Sequence, residues 1–228
     1  MIWAKTIGMP GERQTQERED GFMITLYSYP SPNGHKASIM LEETGLPYET
    51  VRVDITTGEN LKPDFLAISP LGKIPALIDH DAENAPRRVF GSGAILEYLG
   101  EKTGKFLPRE VCARTEVWNW LAFGVSDVGP TSVDMFRFAV RAPEKLPYAI
   151  ELFKSELHRC YQALESQLSK TEYLVDSKYT IADIAVFPFI TIASQTAPTL
   201  FEKYPSLKRW HDLVSTRPAV QRGMVVPE

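Results

Sequence analysis

The stretch Ser31-Pro32-Asn33-Gly34-His35-Lys36 stands between a run of strand character, Met23-Ile24-Thr25-Leu26-Tyr27, and an amphipathic segment. It therefore places small hydrogen-bonding side chains on a strand-to-helix turn, where hydroxyl, amide and backbone N–H donors meet and a thiol can be activated. Two comparable turns follow. Gly72-Lys73-Ile74-Pro75-Ala76-Leu77 opens a second strand with a proline at its head, and Gly91-Ser92-Gly93-Ala94-Ile95-Leu96 opens another helix.

Outward from these turns the pattern alternates. A strand at Ile24 to Tyr27 leads to a helix from Gly34 to Thr44, stopped by Gly45, and then to a strand from Tyr48 to Val53. A short helix begins near Pro63, whose fixed φ suits a first turn. Strands at Pro75 to Asp79 and Arg88 to Phe90 flank the turn-rich Asp79-His80-Asp81-Ala82-Glu83-Asn84-Ala85-Pro86, which predicts a hairpin. A helix from Ser92 to Thr103, stopped by Gly104, completes a βαβ-α-ββα order, the thioredoxin-like arrangement. We expect this unit to span residues 23–105, with residues 106–109 as a linker. Residues 110–228 show little strand character and helical stretches at Glu110 to Val125, Tyr148 to Leu168, Ile181 to Thr191 and Ser206 to Thr216, which predicts an all-helical second domain.

Residues 1–22 read differently. The run Gly11-Glu12-Arg13-Gln14-Thr15-Gln16-Glu17-Arg18-Glu19-Asp20 is polar and charged, with too little apolar surface to offset the entropy of ordering it, so we expect an arm before the fold. Ile2, Trp3, Ile7 and Met9 are its apolar anchors. Over the whole chain, 43% hydrophobic and 24% charged residues suit a globular protein, and a net charge of -4 gives no basic footprint for nucleic acid. No apolar run reaches the roughly 20 residues of a membrane span, and the start lacks the apolar centre of a signal peptide. Cytoplasmic residence is the expectation. Cys112 and Cys160 show neither CxxC pairing nor metal-ligand spacing, so we expect no metal and two reduced thiols.

In the second domain, Thr180-Ile181-Ala182-Asp183 places a hydroxyl at an N-cap and a carboxylate at N3, flanked by Tyr179 and Ile184. That pattern predicts a capping box with a hydrophobic staple, a folding device rather than a catalytic acid.

Several fragments together carry a resemblance. Leu26-Tyr27-Ser28-Tyr29-Pro30-Ser31-Pro32-Asn33-Gly34-His35-Lys36, then Ile68-Ser69-Pro70 before Lys73-Ile74-Pro75-Ala76, then Leu146-Pro147-Tyr148-Ala149-Ile150-Glu151, Tyr179-Thr180-Ile181-Ala182-Asp183 and Arg217-Pro218-Ala219-Val220 resemble the nu-class glutathione transferases, also known as glutathione-dependent disulfide-bond oxidoreductases. Their order and spacing run from about Met23 to Arg222. The resemblance implies a first domain that holds glutathione as co-substrate, a helical domain that adds a pocket for a disulfide or electrophile, and a homodimer.

It also implies roles. Ser31 occupies the position of the family's thiolate-stabilising threonine, with Asn33 contributing amide donors and the N–H groups of Asn33 and Gly34 helping. Residue type alone makes Ser31 an N-cap and Asn33 a turn residue. Ile74-Pro75 matches the cis-proline position, where extended backbone pairs with the cysteinyl unit of glutathione. Lys73 and the amide of Asn60 are placed to meet the glycyl carboxylate, and Ser92, opening a helix, to receive the γ-glutamyl carboxylate. Gly91 departs from the pattern: the family places Glu, Gln or Asp there, engaging the γ-glutamyl ammonium group. Arg137 and Arg141 are candidates for a second glutathione's carboxylates, while Trp118, Trp120 and Phe123 read as core or interface.

The resemblance thus implies an enzyme in which bound glutathione thiolate attacks a disulfide, and absence of cysteine at position 31 argues against a protein-borne mixed disulfide. Addition to an electrophile uses the same thiolate. Gly91 keeps two other readings open: a non-catalytic binding module on the same fold, and an enzyme for a modified thiol.

Overall fold

A computed structural model describes residues 23–83, 85–197 and 199–227 of the chain. The charged arm expected over residues 1–22 lies outside the described residues.

The first half is a four-stranded sheet in the order β2-β1-β3-β4, with β1 at Ile24–Ser28, β2 at Tyr48–Arg52, β3 at Ala76–Asp79 and β4 at Arg87–Phe90. β1 and β2 are parallel, joined by helix α1 (Pro32–Thr44), whereas β3 is antiparallel to both β1 and β4. Alternation along the strands sorts the side chains. Ile24, Leu26 and Leu77 join the large core that includes Ile39, Met40 and Leu41 of α1 and Ile95, Leu96 and Leu99 of α3 (Ser92–Thr103). Tyr27 and Ala76 point to the other face, where Phe65 of the short α2 (Pro63–Leu66) packs with Val53, Ile68 and Ile74. The predicted stops are present: Gly45 and Gly104 end α1 and α3 in the left-handed conformation.

The second half is helical, and it departs from expectation in its first element. The helix expected to end near Val125 continues to Arg141 as α4 (Val111–Phe123), a π-helical segment over 124–128, α5 (Gly129–Phe136) and a second π segment over 137–141. In each π segment an amide reaches back five residues, Gly129 N–H to the Gly124 carbonyl and Ala142 N–H to that of Arg137. Periodicity centred on 3.6 residues loses phase at both insertions, which hid this element. Then follow α6 (Pro147–Leu168), α7 (Ile181–Thr196), α8 (Leu200–Lys203), α9 (Pro205–Ser215) and α10 (Pro218–Gly223). α7 runs on past Thr191 despite Pro188 in its interior; every residue from Ile181 to Ile190 is buried.

The capping box at the start of α7 is formed. Asp183 is fully buried and accepts from Thr180 N–H at 2.9 Å, Leu174 N–H at 3.0 Å and Trp210 Nε1–H at 2.8 Å. Its carboxylate thus ties the α7 cap, the preceding loop and α9 together.

α1 lies against α3, α7 and α10, so the two halves share one core. Across that boundary Arg217 binds Glu43 of α1 through two bonds, Nε–Oε1 at 2.6 Å and NH2–Oε2 at 2.9 Å, and its guanidinium stacks 3.9 Å from the Tyr179 ring centroid.

Candidate functional site

Gly34 brings α1 to the end of β1. A Cβ there would sit 2.4 Å from the Tyr29 carbonyl oxygen and 2.5 Å from Ser28 Oγ, so any side chain would push the helix off the strand. With glycine in place, Ser31 takes extended backbone and caps α1, its Oγ accepting from Gly34 N–H at 3.2 Å. The hydroxyl keeps its own proton to donate elsewhere. This geometry corrects one expectation: the Gly34 amide, counted above as a donor to a ligand, is spent on the cap. His35 N–H is bonded to the Ser31 carbonyl at 2.9 Å, leaving Asn33 as the first-turn amide without a partner.

Ser92 closes the arrangement. Its hydroxyl faces Asn33 Oδ1 at 3.4 Å, linking the first turn of α1 to the first turn of α3. Asn33 therefore turns its carbonyl oxygen toward α3 and has its Nδ2 group left to donate. α3 begins without a side-chain cap, because Gly91 occupies the N-cap position. Its carbonyl accepts from Ile95 N–H at 3.0 Å, which leaves the amides of Ser92, Gly93 and Ala94 open at a positive helix end. Gly91 has φ of 87°, a conformation L side chains rarely adopt, and nothing lies within 4 Å of where its Cβ would be. The place of the family's acidic side chain is open space.

The loop before β3 is held by its own polar groups. Ser69, buried, donates to the Lys73 carbonyl at 2.8 Å and accepts from Lys73 N–H at 3.3 Å. The Lys73 side chain is exposed. Asn60 Nδ2 donates to the Gly72 carbonyl at 2.7 Å, so one of its two amide protons shapes this loop and only the other remains for a ligand. The Ile74–Pro75 bond is cis, as the position implies, and the Pro75 carbonyl accepts from Gly91 N–H at 3.2 Å, joining the β3 head to the start of α3.

Arg137 and Arg141 stand apart from this group. Both are exposed on the second π segment; Arg137 pairs with Asp134 at 2.5 Å, and Arg141 lies 5.3 Å from the Phe136 ring centroid. At 1.5 Å per residue they sit about 18 Å or more along the helix from Val125, the residue touching the α3 turn. Sequence reading missed that contact, in which a Cβ on Gly93 would lie 3.1 Å from Val125 Cγ1. It quoted Ser69 within Ile68-Ser69-Pro70 but gave it no role, and it missed the burial of Lys36. Among the described residues no cluster of His, Cys, Asp and Glu has the make-up of a metal site.

Residues 23–101 match the Glutathione S-transferase, N-terminal domain family, and residues 133–218 match its C-terminal domain family. The chain belongs to the glutathione transferases. Among curated relatives it is 40% identical over 205 residues to the disulfide-bond oxidoreductase YfcG of Escherichia coli, covering 89% of this chain and 95% of the relative. It is 39% identical to the disulfide-bond oxidoreductase YghU of the same organism, covering 89% and 74%. Among solved structures, a glutathione transferase family member from Pseudomonas fluorescens with two glutathiones bound superposes with a TM-score of 0.84 at 38% identity, covering 89% of this chain and 92% of that one. A glutathione transferase from Pseudomonas putida with one glutathione disulfide bound per subunit gives 0.87 at 32% identity, covering 93% and 95%.

Proposed function

We propose that this glutathione transferase is a glutathione-dependent thiol–disulfide oxidoreductase. The observation that carries the reading is the convergence of Ser31, Asn33 and Ser92 at two helix N-termini, one of them uncapped. Free glutathione titrates near the ordinary thiol value of about 8.5, so a protein that uses its thiolate must lower that value with donors and positive dipoles. The Ser31 hydroxyl, Asn33 Nδ2 and the Asn33 amide supply donors in one place. The open amides at the start of α3 suit the γ-glutamyl carboxylate, and the Ser92 hydroxyl would turn from Asn33 Oδ1 to join them. The Ile74–Pro75 backbone is assigned to the cysteinyl unit, and Lys73 with the remaining Asn60 proton to the glycyl carboxylate.

Bound thiolate attacks one sulfur of a disulfide; the S–S bond breaks, a mixed disulfide forms and the other sulfur leaves as thiolate. A second glutathione thiolate then attacks the glutathione sulfur of the mixed disulfide. The products are glutathione disulfide and the reduced substrate, two electrons having passed from two glutathiones. Relatives named as disulfide-bond oxidoreductases, and one solved with glutathione disulfide, support this acceptor class over an electrophile. Arg137 and Arg141 are assigned to the second glutathione, reached across the helix rather than at the Ser31 turn.

The remaining assignments follow the same reading. Exposed Phe90 and Trp118 support a homodimer. Among the described residues no helix is long and apolar enough to cross a membrane, which supports a cytoplasmic enzyme. Residues 23–105 would form the glutathione-binding domain and 110–228 the helical one.

Gly91 favours a second reading, a non-catalytic module or an enzyme for a modified thiol, since the ammonium-binding side chain is absent. Glutathione-dependent reduction of a small disulfide by the purified protein, beside an uncatalysed control, separates the two. Turnover well above background is expected; a folded protein that leaves the rate at background refutes the enzyme reading and selects the second.

A further inference from the structure

Three ionisable side chains are fully buried among the described residues: Asp79, Asp183 and Lys36. Asp79 binds Lys102 at 2.7 Å and the Tyr98 hydroxyl at 2.6 Å, and Asp183 has the donors already named. Among the described residues Lys36 Nζ has no hydrogen-bond partner. A lone buried ammonium is costly to keep charged, and burial pushes Lys36 down to about 7.

Its place in the fold is specific. Lys36 sits on α1 about 7.5 Å along the axis from Ser31, and helical side chains lean back toward the N-terminus, toward that turn. Nζ lies 4.8 Å from the Phe189 ring centroid on α7. That ring abuts the start of α5, where a Cβ on Gly129 would be 3.4 Å from Phe189 Cε2. The adjoining π segment touches Gly93 through Val125. The amine thus sits in apolar packing on the helix that Ser31 caps, joined through Phe189 and the adjoining π segment to Gly93 in the first turn of α3.

Among the described residues no other charge answers it. On α1, His35 is pushed down by burial, and Glu42 and Glu43 are bound to Arg222 and Arg217 beyond the other end of the helix. On α3, Lys102 is held by Asp79, while Glu97 and Glu101 pair with Arg114. Asp183 of α7 is committed to its cap and to Trp210. Cys160 of α6, in the Phe189 cluster, is raised by burial and by Asp127 and Glu156; Asp127 of the π segment is itself exposed.

We propose that Lys36 is the buried charge partner of the glutathione thiolate. This role rests on the function proposed above. When the thiol S–H bond breaks, sulfur keeps the electron pair and the proton passes to solvent; Lys36 Nζ takes up one proton, so the buried site gains an anion and a cation together. The coupling is reciprocal: a bound thiolate raises the proton affinity of Lys36, and protonated Lys36 favours the thiolate by the same factor. Lys36 makes no contact with sulfur in this scheme and acts as a positioning charge.

The test counts protons. Glutathione is titrated into the full chain by calorimetry in buffers of different ionisation enthalpy at about pH 8, between the depressed value of Lys36, about 7, and the ordinary thiol value of about 8.5. The ultraviolet absorbance of the thiolate is followed in parallel. S-methylglutathione, which keeps every carboxylate and lacks the thiol, is the control. The wild type is expected to form thiolate with almost no net proton release, and S-methylglutathione to bind without proton uptake. Lys36→Met should release most of the thiol proton whenever thiolate forms, and should raise the bound thiol's pKa by about one unit, a tenfold loss of thiolate at a given pH. It should also melt higher than wild type, because an apolar chain suits that packing better, an outcome opposite to that of a merely structural residue. Full proton release by the wild type as thiolate forms, or proton uptake with S-methylglutathione, overturns the role without touching the enzyme reading. Absence of glutathione binding overturns both. The wild-type count stands by itself if a variant fails to fold, and Lys36→Gln provides a second substitution.

Discussion

Ser31 holds two duties in one hydroxyl, because its oxygen accepts from Gly34 N–H while its proton is available to a ligand. Ser31→Ala should therefore lower the melting temperature, through loss of a cap worth about 0.5–2 kcal/mol. It should also reduce kcat/KM about ten- to hundredfold through loss of one charge-assisted bond. Ser31→Thr should retain both. Since Asn33 shares the role, an inactive but fully folded Ser31→Ala protein would show that the sharing is misassigned. At Gly91 two effects oppose. A side chain at φ of 87° costs about 1–2 kcal/mol of stability, yet the space around its Cβ is open for a carboxylate. Gly91→Glu should melt lower and bind glutathione more tightly; unchanged or weaker binding in calorimetry would mean that the ammonium group is already served. Lys36 sets a pH dependence. Its folded value is depressed from 10.5 to about 7, so the unfolded chain binds more protons through that interval and stability rises as pH climbs from about 7 toward 10.5. Denaturant midpoints measured across this window should rise in the wild type and flatten in Lys36→Met.

Helix ends show how elements with the same fold-level role are built for different work. α7 opens on a completed, buried capping box, and Asp183→Ala would strand the donors of Thr180, Leu174 and Trp210. That change should lower stability by about 3 kcal/mol or more, read from urea unfolding, with little effect on glutathione affinity. α3 opens without a cap, its first amides left for a ligand. Both were legible beforehand: the Thr180–Asp183 spacing announced the box, and Gly91-Ser92 announced a helix start. The helix from Val111 to Arg141 was read only in its first part. Its two π segments shift the apolar stripe out of phase, and Val125 of the first one packs on Gly93.

Across the whole molecule the halves are fastened by Arg217 on Glu43, whose side chain is 6% exposed. Arg217→Ala would leave that carboxylate buried without its partner. A loss of roughly 3–5 kcal/mol is expected, with unfolding midpoints by circular dichroism as the measure and Arg217→Lys recovering only part, since an ammonium cannot make the bidentate bond. The local chain determined the alternation of strand and helix, the glycine stops, the Ser31 turn and the order that marks the family, because each depends on neighbours within a few residues. Tertiary structure alone decided that Asn60 gives a proton to Gly72 and that Ser92 meets Asn33 across two elements. It also decided the state of Lys36, which as a sequence is one more lysine beside His35. Burial and partnership are set by what other segments bring alongside, and α7, the π segment and α3 come from parts of the chain far from the turn they enclose.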